Sequence, residues 1–382
     1  MKKILYILNY ASTEERRYTI TNFSRSAYLA ARELNMEFHI NTNAKEVVDR
    51  NQDDTIQYRV VEIYRNPFSK AVLKGKKQLE ALLSEEKFDV IHCNTPIGGV
   101  LGRICGRKFG VPKIIYQAHG FHFYKGAPLL NWLLYYPVEK WLARYTDALI
   151  TINLEDYELA ERKMKLRNGG KVYYVPGVGV DSSQYKVRAD LREKKRAELG
   201  LNTDDVALIS VGDLIQRKNY ATAIRAVAEG KNDRLHYFIC GEGPEENALR
   251  SLAEQLHVTR QIHFLGFRTD IKELLAASDI FLFTTKQEGL PRSLMEAMAS
   301  GLPCIASKIR GNTDLLENTD GGFLCNPSDA SEFAEKIKLL ADNVELREKM
   351  GESNLMTIRK FSAETVIKEM KKIYATELFD DK

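Results

Sequence analysis

Short apolar runs alternate with longer amphipathic stretches along most of this 382-residue chain. In the first half the runs predict strands at Lys3–Leu8, Glu37–Asn41, Tyr58–Tyr64, Val90–Asn94, Lys113–His119, Ala148–Ile152 and Lys171–Val175. Segments such as Asn22–Leu34 and Ala71–Glu85 carry apolar residues at helical spacing between several of them. That alternation is the mark of an α/β fold, a parallel sheet with helices on both faces. Pro176-Gly-Val-Gly-Val-Asp181 interrupts it, and we place a hinge near Val180. A charged stretch, Lys186 to Leu199, leads into a second series of strands. These are expected at Val206–Val211, Leu235–Cys240, Gln261–Leu265, Ile280–Thr284, Cys304–Ser307 and Gly322–Cys325. A last helix, Ala363 to Leu378, has no strand after it. The length exceeds one ordinary core and suits two domains of Rossmann size, residues 1–180 and 181–362.

Composition narrows the class without naming a chemistry. With 44% hydrophobic and 28% charged residues the chain reads as a soluble globular protein. A net charge of +4 is too slight to argue for nucleic acid. Five dispersed cysteines, odd in number and without a Cys-x-x-Cys spacing, read as small buried hydrophobes in a reducing compartment. The apolar run after Met-Lys-Lys stops at Asn9, too short for a signal peptide, so it reads as the first strand. No stretch approaches the roughly 20 apolar residues of a membrane span. The expectation is a cytoplasmic protein, with attachment to the cytoplasmic membrane face left open.

The densest local signal runs from Asp279 to Ser307. It predicts a buried strand, a loop closed by Gly289-Leu290-Pro291, a short helix, and a second strand from Pro303. Glu288 lies in the loop, and Glu296 about a turn and a half into the helix, on the side that looks back over its N-terminus. Free N–H groups at a helix N-terminus attract phosphate. Each carboxylate can accept hydrogen bonds from a pair of sugar hydroxyls. Sugar, ribose and diphosphate in one crevice describe a nucleotide-sugar. A surface loop with two solvated glutamates is the plain alternative, and only the surrounding string decides against it. Elsewhere, His119-Gly120-Phe121-His122 follows a strand at the edge where open α/β sheets bind ligands. Gly241-Glu-Gly243-Pro244 follows another, with no third glycine to complete a dinucleotide fingerprint. Arg217 and Lys218 sit where a strand gives way to a helix. No Asp-x-Asp motif stands at a strand end, and Asp53-Asp54, Asp204-Asp205 and Asp380-Asp381 read as loop or tail charge. No metal is expected.

The string Glu288-Gly-Leu-Pro…Glu296-Ala-Met-Ala-Ser-Gly-Leu-Pro303 resembles the signature of retaining glycosyltransferase family 4, of exopolysaccharide or capsule type. His119-Gly120, Gly179-Val-Asp181, Gly212…Lys218, Gly241-x-Gly-Pro, Leu265-Gly-Phe and Gly301-x-Pro303 occur in the family's order, so the resemblance spans nearly the whole chain. It implies the GT-B fold, two Rossmann-like domains facing a central cleft. Residues 1–180 would bind the acceptor and 181–362 the nucleotide-sugar, with the segment from about 363 to 382 crossing back to the first domain. It also implies transfer of a hexose or N-acetylhexosamine from a nucleotide diphosphate donor, UDP by preference, to a saccharide acceptor that is lipid-linked. Glu288 would hold the sugar hydroxyls, Glu296 the ribose diol, and Lys218 with Arg217 the diphosphate. Backbone groups at Gly289 and Leu290 would cap phosphate, and Gly212, Gly243 and Phe267 would line the nucleotide. His119 would hydrogen-bond the donor sugar, while Ser12, Thr13 and His122 would serve the N-terminal loop or the acceptor. On these assignments loss of Glu288 lowers kcat and leaves affinity for free UDP unchanged.

Two features depart from the family. The Gly-Gly pair usual after the first strand is absent from Asn9–Arg17, and Asp213 stands where an arginine is usual, with Arg217 as the available replacement charge. Gly126 to Trp141 is dense in Leu, Trp and Tyr between Lys125 and Arg144, which suits either a core helix or a patch lying on a bilayer surface. Two rival functions share the architecture, a nucleotide-sugar 2-epimerase and a non-catalytic glycosyltransferase-like regulatory partner.

Overall fold

The computed structural model describes residues 1–9, 22–42, 55–64, 70–185 and 189–379. Ser12, Thr13 and Asp53-Asp54 lie outside the described residues. Two compact units divide the chain: Met1–Val178 with Glu364–Lys382, and Gly179–Ala363.

In the first unit the strands are β1 (Lys3–Ile7), β2 (Glu37–Thr42), β3 (Ile56–Val60), β4 (Val90–Asn94), β5 (Lys113–Ala118), β6 (Ala148–Thr151) and β7 (Lys171–Tyr174). Among the described residues they form one parallel sheet in the order β3-β2-β1-β4-β5-β6-β7. Both faces are covered, which is why its central strands read as unbroken apolar runs. Ile4, Tyr6, Ile115 and Ile150 face helix Asn22–Glu33 and the last helix, through Ala27, Ala30, Val366 and Met370. Leu5, Ile7, Ile91, Cys93 and Tyr116 face helices Lys70–Glu85 and Pro96–Lys108, through Leu79, Leu83, Leu101 and Cys105.

The last helix, Ala363–Leu378, belongs to this core although the second unit precedes it in sequence. Tyr374 Oη lies 2.6 Å from His92 Nδ1, and Glu377 accepts from Lys113 Nζ (2.9 Å) and Tyr173 Oη (2.6 Å). The third strand departs from expectation. The sequence predicts Tyr58–Tyr64, whereas pairing runs from Ile56 to Val60. Val61 and Ile63 are buried beside Leu79 beyond the strand's end, where Val61 N–H still donates to Thr42 O (3.0 Å).

The second unit holds β8 (Val206–Val211), β9 (Leu235–Cys240), β10 (Ile262–Gly266), β11 (Ile280–Phe283), β12 (Cys304–Ser307) and β13 (Gly322–Cys325). They form a parallel sheet in the order β10-β9-β8-β11-β12-β13. Each sheet reverses its winding once, between β1 and β4 and between β8 and β11. Loops leaving those adjacent strands diverge to opposite faces and leave a crevice at the carboxyl edge, where ligands of such sheets bind. The five cysteines are free and buried, and burial is the main cause of the Cys93 thiol being pushed up to about 12. No helix among the described residues is long and apolar enough to cross a membrane.

Candidate active site

The crevice between β8 and β11 is built from backbone before any charge enters it. Gly212 follows β8 and donates its N–H to Cys240 O (2.9 Å). Gly241 has φ +150°, and a Cβ there would sit 2.0 Å from Gly212 O, inside the carbonyl. Only glycine lets the turns after β8 and β9 approach so closely. Leu214 N–H then donates to Glu242 O (2.9 Å), and Glu245 N–H to Leu214 O (3.0 Å), which ties Gly243 into the same wall. Phe267, after β10, is exposed, and its N–H reaches Glu242 Oε1 (3.3 Å).

The turn Gln216–Lys218 ends at Asn219, whose backbone is left-handed (φ +56°). Asn219 Nδ2 donates to Thr284 O (3.0 Å) and Pro327 O (2.8 Å), and this pins the turn over the end of β11. Arg217 and Lys218 therefore meet the loop after β11. Three donors converge on one oxygen there: Glu288 Oε1 accepts from Lys218 Nζ (2.8 Å), Arg217 Nη1 (2.9 Å) and Thr285 Oγ1 (2.9 Å). Lys218 and Glu288 keep only 12% and 11% of their side-chain exposure, Arg217 39%, so the lysine pair is the more shielded from solvent. From the other side Arg310, itself buried, donates Nε to Glu288 O (3.1 Å). Gly311 (φ +83°) presses on Gly289, where a Cβ would come within 2.4 Å of the carbonyl oxygen.

Helix Arg292–Ala299 begins directly after Leu290-Pro291, and no side chain caps it. Its first N–H groups are thus left to whatever lies in the crevice. Glu296, a turn inward, accepts from Arg292 Nε (2.8 Å). Tyr185 lies against the same carboxylate. Burial, then the charge and hydrogen bond of Glu296, holds its phenol above the usual range. The second unit thus gathers Gly212, Arg217, Lys218, Gly243, Glu288, Gly289, Leu290 and Glu296 around the turns beside β8 and β11. Thr285, Arg310, Arg292 and Tyr185 were not foreseen from sequence. Thr285 had a legible signal as a polar residue just past an apolar strand end, and Arg292 as the i−4 neighbour of Glu296 on one helix; Tyr185 and Arg310 meet partners from distant parts of the chain.

In the first unit His119 follows β5, and its Nε2 lies 3.0 Å from Asn94 Oδ1 at the end of β4. Burial lowers its pKa to about 4, so the ring is neutral near pH 7. A neutral imidazole offers a hydrogen bond and no charge. Asp156 holds the following turn by accepting from Phe121 N–H (2.9 Å), within reach of Asn153, which caps helix Leu154–Lys163. His122 is placed differently from His119: its ring packs on Tyr135 at 4.7 Å, and its carbonyl accepts from Asn131 Nδ2.

Helix Leu129–Leu142 resolves the choice between core helix and surface patch by face. Trp132 and Tyr136 pack on Phe123, and Glu139 accepts from the buried Arg103 (2.8 Å). Leu129, Leu130, Leu133, Leu134, Val138 and Trp141 are exposed. Trp132 anchors the inner face, although its side chain suits a bilayer patch as well as a core. Among the described residues one cluster could offer three ligands to a metal, Glu37, His39 and Glu86, but Lys3 and Arg59 already neutralise its carboxylates.

Comparison with known proteins gives a consistent likeness in both halves. Residues 191–355 match the family described as "Glycosyl transferases group 1", and residues 3–153 that described as "Glycosyl transferase 4-like". The chain is 38% identical to the "Putative glycosyltransferase EpsD" of Bacillus subtilis (strain 168), over 82% of this chain and 84% of that one. It is 30% identical to the Escherichia coli UDP-Gal:alpha-D-GlcNAc-diphosphoundecaprenol alpha-1,3-galactosyltransferase, over 81% of each. Among solved structures, Anabaena HepE in complex with UDP-glucose superposes with a TM-score of 0.77 at 19% identity, over 98% of this chain and all of that one.

Proposed function

The chain belongs to the group 1, family 4 glycosyltransferases of GT-B fold, and from that premise we propose that it transfers a hexose or N-acetylhexosamine from a UDP-sugar with retention of the donor's anomeric configuration. The observation that carries this is the convergence of Lys218, Arg217 and Glu288 beside the uncapped N-terminus of helix Arg292–Ala299. Lys218 and Arg217 bind the diphosphate, and Arg217 supplies the charge that Asp213 cannot. The N–H groups after Leu290 complete the phosphate site. Glu288 holds sugar hydroxyls and Glu296 the ribose diol, while the turns at Gly212, Gly243 and Phe267 flank the nucleotide. Catalysis is then positioning together with stabilisation of charge on the leaving phosphate. No side chain among these is required as a base, because the leaving phosphate can take the acceptor's proton. No metal is assigned a role.

The first unit binds the acceptor in this reading, and His119 offers a sugar hydroxyl a neutral hydrogen-bonding group. A lipid-linked saccharide is the acceptor we favour. The name of the Escherichia coli relative specifies a diphosphoundecaprenol-linked sugar, and the exposed leucines of Leu129–Leu142 lie near Lys125, Lys140 and Arg144, a combination suited to an anionic bilayer. The protein would then work as a peripheral protein on the cytoplasmic membrane face. A thermal-shift panel of nucleotide-sugars tests the donor, since a true donor stabilises by mass action. NMR of the product tests the rest: an inverted linkage, or an epimerised free sugar nucleotide, defeats the proposal.

A further inference from the structure

Glu288 carries a contact that a sugar-holding residue does not need. All three of its side-chain hydrogen bonds fall on Oε1, and two come from the cations assigned to the diphosphate. Lys218 Nζ has no other side-chain hydrogen bond among the described residues; it lies 4.9 Å from the centre of the Phe283 ring. Arg217 Nη1 adds only the carbonyl of Gln287 (2.7 Å). A carboxylate between two cations on the floor of a cleft occupies the electrostatic place of a phosphate oxygen.

We propose that Glu288 is the internal counter-anion of the diphosphate site, displaced from Lys218 and Arg217 by the incoming donor and restored to them after transfer, so that it expels the UDP product. This rests on the donor-site reading above and adds a role to it. One oxygen cannot serve both partners at full strength. When a diphosphate takes the two cations, Oε1 keeps its Thr285 bond and the carboxylate becomes available to sugar hydroxyls. Phosphate capture and sugar capture are thereby coupled through a single group. After the sugar departs, the carboxylate has lost those hydroxyls while UDP remains on the cations. Re-pairing of Glu288 with Lys218 and Arg217 then competes directly with UDP. The expectation that free UDP is indifferent to Glu288 is accordingly revised, because the residue opposes UDP.

Thr285 acts as a positioning residue in this scheme. It is fully buried, and its hydroxyl fixes Oε1 at the end of β11. The carboxylate therefore moves little between its two sets of partners.

The test is calorimetric titration of UDP and of uridine into the full chain, the Glu288→Gln variant and the Lys218→Ala variant. Glu288→Gln should bind UDP tighter than the parent by about 5-fold or more, with unchanged affinity for uridine, which lacks the phosphates. A residue with a merely structural role would weaken UDP, so the sign is the diagnostic. Equal or weaker UDP binding in Glu288→Gln, with Lys218→Ala still losing UDP, overturns the counter-anion role and leaves the donor site standing. Undiminished UDP binding in Lys218→Ala overturns the donor site itself. A gain for uridine equal to that for UDP shows a reshaped pocket and also overturns the proposal. Thermal melting identifies any unfolded variant. Glu288→Asp, whose charge is drawn back by one methylene, gives the same comparison and should lie between parent and Gln.

Discussion

Lys218 and Arg217 share a partner but not an environment. The lysine ammonium is sheltered against Phe283 and Glu288, whereas the guanidinium is over a third exposed. A charge-assisted bond is worth more where water is excluded. Lys218→Ala is therefore expected to weaken UDP by about 1.5–3 kcal/mol, and Arg217→Ala by less, both by calorimetry. Glu296 faces a group that does not change during transfer, so Glu296→Ala should raise donor KM more than it lowers kcat and should also weaken free UDP. Glu288→Ala should instead lower kcat, by about 100-fold or more, if the donor is no longer held in place. Gly241→Ala puts a methyl on Gly212 O. It should lower stability by about 2 kcal/mol or more and weaken UDP binding, read by calorimetry.

At the scale of elements, helix Leu129–Leu142 has two faces with separable tests. Its inner face is anchored by Trp132 on Phe123 and by the buried Arg103–Glu139 pair, with the Arg103 guanidinium 3.8 Å above the Tyr116 ring. Its outer face carries the exposed leucines. Replacing Leu129, Leu130, Leu133 and Leu134 with Ser should reduce co-sedimentation with anionic vesicles while leaving the melting temperature nearly unchanged. Trp132→Ala should cost about 3 kcal/mol and leave vesicle binding of the folded fraction intact. Vesicle binding that survives the leucine changes would mean that this helix face is not the membrane contact, and no vesicle binding by the parent would remove the bilayer from the functional reading.

For the molecule as a whole, burial lowers the pKa of three histidines in the first unit, His39, His92 and His119, and the last two are shifted furthest. Burial, with a smaller contribution from His119, lowers His92 to about 3, and burial lowers His119 to about 4. Unfolded, each takes a proton near pH 6.5. Above that pH neither costs stability. Below it the unfolded chain binds protons that the folded unit refuses, and each histidine contributes a loss of about 1.4 kcal/mol per pH unit. The loss continues until the pH reaches the folded value, about 4 for His119 and about 3 for His92. Both tryptophans, Trp132 and Trp141, lie in this unit, so their fluorescence follows its unfolding in urea. The midpoint should fall between pH 6.5 and 4.5, and His92→Asn should make the fall shallower. An unchanged pH dependence in that variant would mean that His92 is protonated inside the fold.

Sequence alone determined the elements, because strands buried on both faces are continuous apolar runs and their helices carry a 3.6-residue stripe. Val206–Val211, Leu235–Cys240 and Cys304–Ser307 are legible for that reason. The Glu288…Glu296 spacing likewise fixes two carboxylates near one helix start, since both belong to a single local segment. The partners of those carboxylates are another matter. Lys218 lies 70 residues from Glu288 in the chain, and they meet because β8 and β11 are neighbours in the sheet. Tyr185 reaches Glu296 and Arg310 reaches the Glu288 carbonyl for the same kind of reason. The inward turn of Trp132 also needed the tertiary structure, since a helix as apolar as Leu129–Leu142 does not show which side the core will take. Local patterns set what each segment can become, and strand order decides which charges share an oxygen.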